Sequence, residues 1–277
     1  MGALSKRAVG AALMDQHIQL FACPVCQQSM YVYEQGRLVC SANHSFDIAK
    51  QGYVNMLTHS ATSKYSKSLF ESRKAVIDSG IYDVVEEKIV ELIASAKTVL
   101  DTGCGEGSHL ARIMKDKNDR IGIGIDIAKE GIVAAARHYP HQIWCVGDLA
   151  KSPFAKSGFD AILNILSPAN YEEFKRLLAP NGCIVKVVPQ SGYLHELRAQ
   201  LYADSNKETY SNEQIVSRFR DSFNEVNVER ITYTSLLAKD LVPALLEMTP
   251  MGWHKKDDTA IVLNEITIDV DLLIGKV

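Results

Sequence analysis

No stretch of this 277-residue chain approaches the ~18 uninterrupted apolar residues that a membrane-spanning helix needs. Residues 1–20 lack a basic start followed by a compact apolar stretch and a cleavage site, so no export signal is read there. A cytoplasmic location with no membrane partner is expected. Strong net charge is missing too: 30 Lys and Arg against 33 Asp and Glu give −3, which argues against broad, sequence-blind adhesion to nucleic acid. Internal repeats and low-complexity tracts are absent. Without an export signal, the six cysteines do not read as a disulfide framework.

What is present suits a folded protein, with 47% hydrophobic and 23% charged residues, enough for one sizeable core and a small appendage. The charge is uneven. Residues 1–76 hold eight Lys or Arg and four acids, a local +4 that leaves −7 on the remainder. A basic front on an acidic body suits a polyanion held at the front, and chance surface variation would give the same numbers.

From Val76 onward the pattern turns helical, with Val85, Ile89, Leu92, Ile93 and Ala96 at helix spacing. Strand-like runs at 98–101, 120–126, 142–146, 159–166 and 183–189 then alternate with helical stretches around Leu110, Ile132, Phe174 and Leu197. This is repeated βα, and runs as continuously apolar as 161–166 fit a parallel sheet covered on both faces. The end differs: 226–234 and 260–270 read as strands flanking a helix at 237–248, a terminal hairpin with one strand antiparallel to the rest. The polar segment H-S-A-T-S-K-Y-S-K-S reads as a linker. The expected division is therefore an N-terminal extension and metal-binding segment at 1–57, a linker at 58–75 and an α/β domain at 76–277.

The sharpest local motif is V-L-D-T-G-C-G-E-G at 99–107, after a strand and opening a helix. Gly103, Gly105 and Gly107 let the backbone turn tightly and approach a ligand. Asp101 and Glu106 are the departures: a loop built for a pyrophosphate offers amides to negative charge and avoids carboxylates. S-adenosylmethionine has no phosphate and carries a sulfonium and an ammonium, which this acidic loop favours. Asp126, ending the next strand, is placed to accept both ribose hydroxyls. Asp148 could accept from the adenine amino group while Leu149 packs on the ring. Either acid alone reads equally well as a solvated strand end; the ordered set reads as a cofactor site.

A second motif, C-x2-C…C-x3-H, comprises Cys23, Cys26, Cys40 and His44, the ligand set of a tetrahedral structural zinc site in a zinc ribbon. Four protein ligands leave no position for reactive water, and a segment this small needs the metal to fold. Cys104, Cys145 and Cys183 sit in apolar surroundings and read as core. Tyr31, Tyr33, Arg37, Phe46, Lys50 and Tyr53 near the zinc motif could stack on and neutralise single-stranded RNA, or could form a protein-binding knob.

Residues 97–189 resemble the class I S-adenosylmethionine-dependent methyltransferases, which implies a Rossmann-like, seven-stranded mixed α/β sheet with its last strand antiparallel. The whole chain resembles the RlmA family of 23S rRNA guanine-N1 methyltransferases. The matching segments are F-A-C-P-V-C at 21–26, C-S-A-N-H-S-F-D-I-A-K-Q-G-Y-V-N at 40–55, S-R-K-A-V-I-D-S-G-I-Y at 72–82, the glycine loop and M-T-P-M-G-W at 248–253. The resemblance implies a cytoplasmic enzyme, usually a homodimer, that methylates N1 of a guanosine in a hairpin loop of 23S rRNA near the peptide exit tunnel. Two subtypes act on neighbouring guanosines, and some members confer macrolide resistance. It also implies the zinc quartet, cofactor contacts at Tyr82, His109 and Leu110, and a further one at Tyr193. There the family often has His in H-L-x-E-L, where this chain has Y-L-H-E-L; His195 is shifted and does not inherit the role.

Methyl transfer is an in-line displacement, largely a matter of alignment. Guanine N1 is protonated at neutral pH, so its proton needs an acceptor. Asn164 and Ser167 in N-I-L-S-P fall where class I enzymes orient the target base and are positioning candidates, or ordinary strand-end polar residues. Trp253 is a candidate stacking partner for the target base, or a core anchor. Two other functions fit the same residues: a small-molecule methyltransferase with a structural zinc ribbon, and a non-catalytic zinc-ribbon interaction protein. The intact loop and acids speak against the second.

Overall fold

The computed structural model describes residues 4–60, 65–116, 119–202, 210–254 and 261–277. The chain begins with helix α1 (Lys6–Gln16), whose N-cap Ser5 accepts a hydrogen bond from the Ala8 amide at 3.2 Å. Strands β1 (Met30–Tyr33), β2 (Arg37–Cys40) and β3 (Ser45–Asp47) form a small antiparallel sheet. On β1 the period-2 alternation buries Met30 and leaves Tyr31 and Tyr33 exposed together on the other face. The two-residue β4 (Val54–Asn55) follows.

Helix α2 (Lys67–Asp78) starts where the Ser66 hydroxyl accepts from the Leu69 amide at 3.1 Å. Gly80, at φ 88°, breaks the chain before helix α3 (Asp83–Leu92). There follow β5 (Thr98–Thr102), α4 (Ser108–Ile113), β6 (Ile121–Asp126), α5 (Lys129–His138), β7 (Ile143–Val146), β8 (Phe159–Ile165), α6 (Tyr171–Leu177) and β9 (Leu178–Pro189). Helices α7 (His195–Tyr202) and α8 (Glu213–Ser222), strand β10 (Glu225–Leu236), helix α9 (Val242–Met248) and strand β11 (Glu265–Lys276) complete the described chain. The large sheet runs β10-β11-β9-β8-β5-β6-β7-β4. Strands β4 to β9 are parallel where they pair, and β11 is antiparallel to both neighbours.

Successive strand residues feed two cores. Val99, Leu163 and Val187 pack with Val76, Ile77, Val85 and Ile132 on one face. Leu100, Ile123 and Ile184 pack with Met14, Leu38, Phe154, Phe174 and Phe219 on the other. The second core runs straight into the small sheet, so the zinc segment is fused to the body. The Ala22 amide donates to Pro153 O at 3.0 Å, and the Phe21 and Phe154 rings lie 5.6 Å apart. Among the described residues no helix is long and apolar enough to cross a membrane.

Three expectations are corrected. The sheet has eight strands rather than seven, because β4 leaves the small sheet and pairs in parallel with β7. Helix α2 begins inside the span read as linker; its exposed polar first turn masks a face formed by Leu69, Phe70, Val76 and Ile77. The last strand is Glu265–Lys276, later than expected, and Ala260 lies outside the described residues. Helix α8 had no counterpart in the sequence reading.

The hairpin end is tied by Asp269, which is 1% exposed and accepts from Arg230 at two points 2.8 Å long, from Thr232 Oγ1 at 2.8 Å and from the Gly192 amide at 2.9 Å. Burial by itself would raise its carboxyl, but Arg230, Thr232 and Gly192 together hold it below the usual range. A depressed carboxylate contributes stability above its unfolded pKa and loses it as pH falls through the folded value. Asp269→Ala is expected to cost about 2 to 3 kcal/mol at pH 7, discounted because the Arg230 end is half exposed. Urea midpoints check this, and the gap to wild type should narrow as pH falls below about 4.

Candidate active site and metal centre

The loop after β5 turns through three left-handed glycines, Gly103 at φ 71°, Gly105 at 58° and Gly107 at 79°. Space demands them as much as dihedrals do. A Cβ on Gly107 would lie 2.3 Å from Trp144 Cη2, and one on Gly103 would lie 1.9 Å from Ser167 Oγ. Asp126, at the end of β6, fastens the loop: its Oδ2 accepts from the Gly105 amide at 2.8 Å and its Oδ1 from the Ala128 amide at 2.7 Å. A carboxylate oxygen has two acceptor directions, so each keeps one for a ligand hydroxyl.

Three acids converge here. Asp101 is 2% exposed and Glu106 1% exposed. Desolvation pushes Asp101 up to about 7, against the pull of Arg73 and with further push from Asp126 and Glu106. Burial likewise raises Asp126, opposed by the Ala128 and Gly105 amides. Both Glu106 oxygens are buried without a hydrogen bond, although Arg73 Nε stands 3.1 Å from Oε2 in poor alignment. Buried orphan acceptors beside a ligand-approachable backbone fit a cationic ligand group, as the sulfonium and ammonium of S-adenosylmethionine require.

The aromatic residues expected at the cofactor also assemble. Tyr82 and Tyr193 are buried with hydroxyls 2.6 Å apart, and the His109 ring lies edge-on to Tyr82 at 5.2 Å. His109 Nδ1 is 2.7 Å from Glu86 Oε1, and Arg112 Nε donates to the other Glu86 oxygen at 2.5 Å. Leu110 is fully buried in the sheet core, and His195 is exposed. Asp148 follows β7, its Oδ1 accepting from the Ala150 amide at 2.8 Å and its Oδ2 lying 3.6 Å from His59 Nε2. Leu149 begins the short 3-10 turn behind it.

At the tip of β8, Asn164 has no exposed surface. Its amide nitrogen lies 3.2 Å from Thr102 O, 3.0 Å from Thr102 Oγ1 and 3.0 Å from Pro168 O, while Lys186 donates to its Oδ1. Lys186 also donates to Ser167 O at 2.9 Å, and burial lowers its ammonium to about 8. This set braces a turn in which Leu166 takes the left-handed φ of 51°, a costly conformation for a bulky residue. Trp253 is 45% exposed and lies 5.9 Å from Tyr65, which lies 6.1 Å from Phe70. Sequence reasoning missed Arg73, His59, Glu86 and Lys186. Arg73 alone left a signal, lying between Phe70 and Ile77 on the apolar face of α2.

The metal quartet closes as expected, with the ligand atoms of Cys23, Cys26, Cys40 and His44 within 4.8 Å of one another. Cys26 and Cys40 sulfurs are 3.7 Å apart, and His44 Nδ1 is 3.5 Å from Cys23 Sγ and 3.4 Å from Cys40 Sγ. A zinc tetrahedron with usual bond lengths has edges of about 3.8 Å between sulfurs and about 3.6 Å from sulfur to nitrogen. These three separations lie close to those edges, so the quartet suits one zinc ion. Of the residues proposed to meet a partner here, Tyr31 and Tyr33 are exposed, Phe46 is partly buried and Tyr53 is buried in the core.

The strand order, the glycine turn after β5 and the acids ending β5, β6 and β7 define a class I S-adenosylmethionine-dependent methyltransferase carrying a zinc ribbon. Residues 21–67 match the family description "RlmA, N-terminal", and residues 99–182 match a methyltransferase domain. YxjB of Bacillus subtilis, provisionally named a 23S rRNA (guanine-N1)-methyltransferase, is 41% identical over 92% of this chain and 96% of its own. The 23S rRNA (guanine(748)-N1)-methyltransferase of Streptomyces fradiae is 30% identical over 87% of this chain and 88% of its own. Among solved structures, an S-adenosylmethionine-dependent methyltransferase from Aquifex aeolicus gives a TM-score of 0.47 at 15% identity, over 76% of this chain and 99% of that one. The chain belongs to the RlmA family of 23S rRNA guanine-N1 methyltransferases. It is a methyltransferase that uses S-adenosylmethionine and holds a structural zinc ion.

Two outcomes follow from this geometry. The purified protein is expected to hold about one zinc per chain by elemental analysis, and Cys40→Ser to lose it together with several degrees of melting temperature, since structural zinc supplies folding energy. A cationic ligand group favours ionised Asp101, so S-adenosylhomocysteine affinity should rise with pH up to about 7 and then level off. Below that the slope is at most about tenfold per pH unit, and Asp101→Asn should flatten it. Calorimetric titrations between pH 5.5 and 8 check both.

Proposed function

We propose that this enzyme transfers a methyl group from S-adenosylmethionine to N1 of a guanosine in a hairpin loop of 23S rRNA. The observation that carries the reading is the zinc ribbon built onto the edge of a methyltransferase sheet, in a chain similar over nearly its whole length to proteins named for this reaction. Bound S-adenosylmethionine supplies an electrophilic methyl group on sulfonium. The chain's part is to bind, align and exclude water. Asp126 takes the ribose hydroxyls, and Asp148 and Leu149 take the adenine. Gly103 and Gly105 admit the ligand to the backbone, and Asp101 and Glu106 face its cationic groups. Tyr82, Tyr193, His109 and Leu110 shape the far end, Leu110 from beneath.

Asn164 acts here as a positioning residue: with its amide fully committed, it and Lys186 brace the turn that sets Ser167 against Gly103. Residues 1–57 form the RNA-recognition unit, and the body that carries the chemistry begins with α2, inside the span expected to be linker. A concavity of about 530 Å³ lined by Arg7, Tyr33, Arg37 and Lys50, along with Glu34 and Asp47, gives the ribbon cations and a stacking ring for single-stranded RNA. An unpaired loop suits the site, because extruding its guanine costs little stacking. An rRNA substrate supports a cytoplasmic location. The family resemblance supports a homodimer, for which β10, the long edge strand of the sheet among the described residues, offers a side for pairing.

Transfer of labelled methyl groups to unmodified 23S rRNA, mapped by reverse-transcription stops, tests the proposal, since N1 methylation blocks Watson–Crick pairing. A single stop in a hairpin loop, lost in Asp126→Ala, is the expected result. Cofactor binding with no rRNA methylation on either naked rRNA or ribosomal subunits would overturn it in favour of a small-molecule acceptor.

A further inference from the structure

The two tryptophans of this chain lie in opposite surroundings. Trp144 is 1% exposed and packs against the cofactor loop, whereas Trp253 is 45% exposed. Trp253 sits in the short 3-10 turn Gly252–His254 just after α9. That turn folds back closely on the helix: a Cβ on Gly252 would lie 2.0 Å from Leu246 O, and the Gly252 amide donates to Thr249 O at 3.0 Å. The indole Nε1 donates to Glu247 O at 2.9 Å. A core anchor would have its ring faces covered. Here the one polar atom is satisfied by backbone, and the ring stays open to solvent in a fixed orientation.

A second exposed ring stands beside it. Tyr65 is 46% exposed, its centroid is 5.9 Å from that of Trp253, and it also meets Phe70 edge-on at 6.1 Å. Phe70 is 4% exposed and packs on the cofactor loop, its Cε1 3.3 Å from where a Cβ on Gly105 would sit. The ring contacts therefore run from solvent to the loop, with Trp253 and Tyr65 outermost and Phe70 filling the inner end. The helices beside them are tied together, since Ser72 Oγ of α2 donates to Glu247 of α9 at 2.6 Å. Exposed Lys67 follows Tyr65 and pairs at 3.1 Å with Glu71 one turn on, a surface pair weak enough to yield its ammonium to a phosphate.

Resting on the RNA-methylation reading above, we propose that Trp253 and Tyr65 form a stacking platform for an unpaired base of the substrate loop that neighbours the methylated guanosine. Every nucleobase presents a π-face, and two adjacent exposed rings already held in place match it at little ordering cost. The occupant is a flanking base rather than the target, because Phe70 occupies the space between the platform and the glycine loop. The platform thus holds the RNA loop beside the site and contributes to substrate binding rather than to the transfer step.

The test uses the shortest 23S rRNA fragment that wild type methylates, with each other nucleotide of the loop made abasic in turn, and measures binding to wild type, Trp253→Ala and Trp253→Phe. In wild type, one flanking position is expected to cost about ten- to a hundredfold in affinity when abasic, the range of one base–aromatic stack, yet to vary by less than about threefold among the four bases. Trp253→Ala should weaken the intact fragment by a similar factor and be insensitive to that abasic site, the coupling of a shared contact. The loss should fall on KM for RNA rather than on kcat. Trp253→Phe keeps a ring and loses the indole N–H, so it should retain most of the affinity. If Trp253→Phe loses as much as Trp253→Ala, the residue serves α9 through its hydrogen bond to Glu247, and the proposal is overturned. Unchanged RNA affinity in Trp253→Ala, coupling at no loop position, or coupling at the methylated guanosine alone would each overturn it too. If wild type binds S-adenosylhomocysteine but methylates no 23S rRNA fragment, the RNA-methylation reading itself falls.

Discussion

The Asp126 carboxylate is the point on which the rest of the site depends. It accepts from the Gly105 amide and so fixes a loop whose glycines stand against Trp144 and Ser167, while its second oxygen caps the start of α5 through Ala128. Three carboxylates within one buried cluster are a costly arrangement, and desolvation shows it in the raised pKa of Asp101. Backbone amides and one arginine offset part of that cost. The remainder is a standing preference for a cation, and that preference distinguishes this loop from one made for a pyrophosphate.

The same reasoning explains why the zinc ribbon is not a detachable ornament. Its own three short strands bury little apolar surface, so the metal fixes the two hairpin ends, and the rest of its core is borrowed from the large sheet through Phe21, Leu38 and Phe154. Strand β4 completes the fusion by closing the open side of β7, which would otherwise be an unprotected edge.

Much of this was legible before any fold was known, because glycines, strand-end acids and metal ligands are read by spacing, and spacing is a local property. The parallel sheet was legible for the same reason, through runs such as those in β6 and β8. What escaped lay in long-range pairings. A two-residue strand such as Val54–Asn55 has no periodicity to detect, and its pairing with Cys145 and Val146 is a tertiary fact. Helix α2 was hidden because its polar first turn and Gly80 disguise a four-residue apolar face. Lys186 gave no sign either, since a lone lysine in an apolar strand has meaning only when the Asn164 amide and the Ser167 carbonyl stand opposite it. Asn164 is a like case: its place near the end of a strand was legible, but the bonds of its amide to Thr102 and Pro168 are not local in sequence.

The ribbon and the cofactor site meet along a single strand edge. From β4 the chain continues with the Met56 amide donating to Val146 O at 2.8 Å, and three residues later His59 stands 3.6 Å from Asp148, the acid assigned to the adenine. The segment that leaves the zinc ribbon therefore lies against the end of β7 and Asp148. Helix α2 then crosses over the glycine loop with Phe70 and Arg73 before the chain enters the sheet. Residues on both sides of this connection thus stand at the acids of the loop region, His59 beside Asp148 and Arg73 beside Glu106, so the ribbon and the acid cluster are packed as one piece of the fold rather than as separate modules.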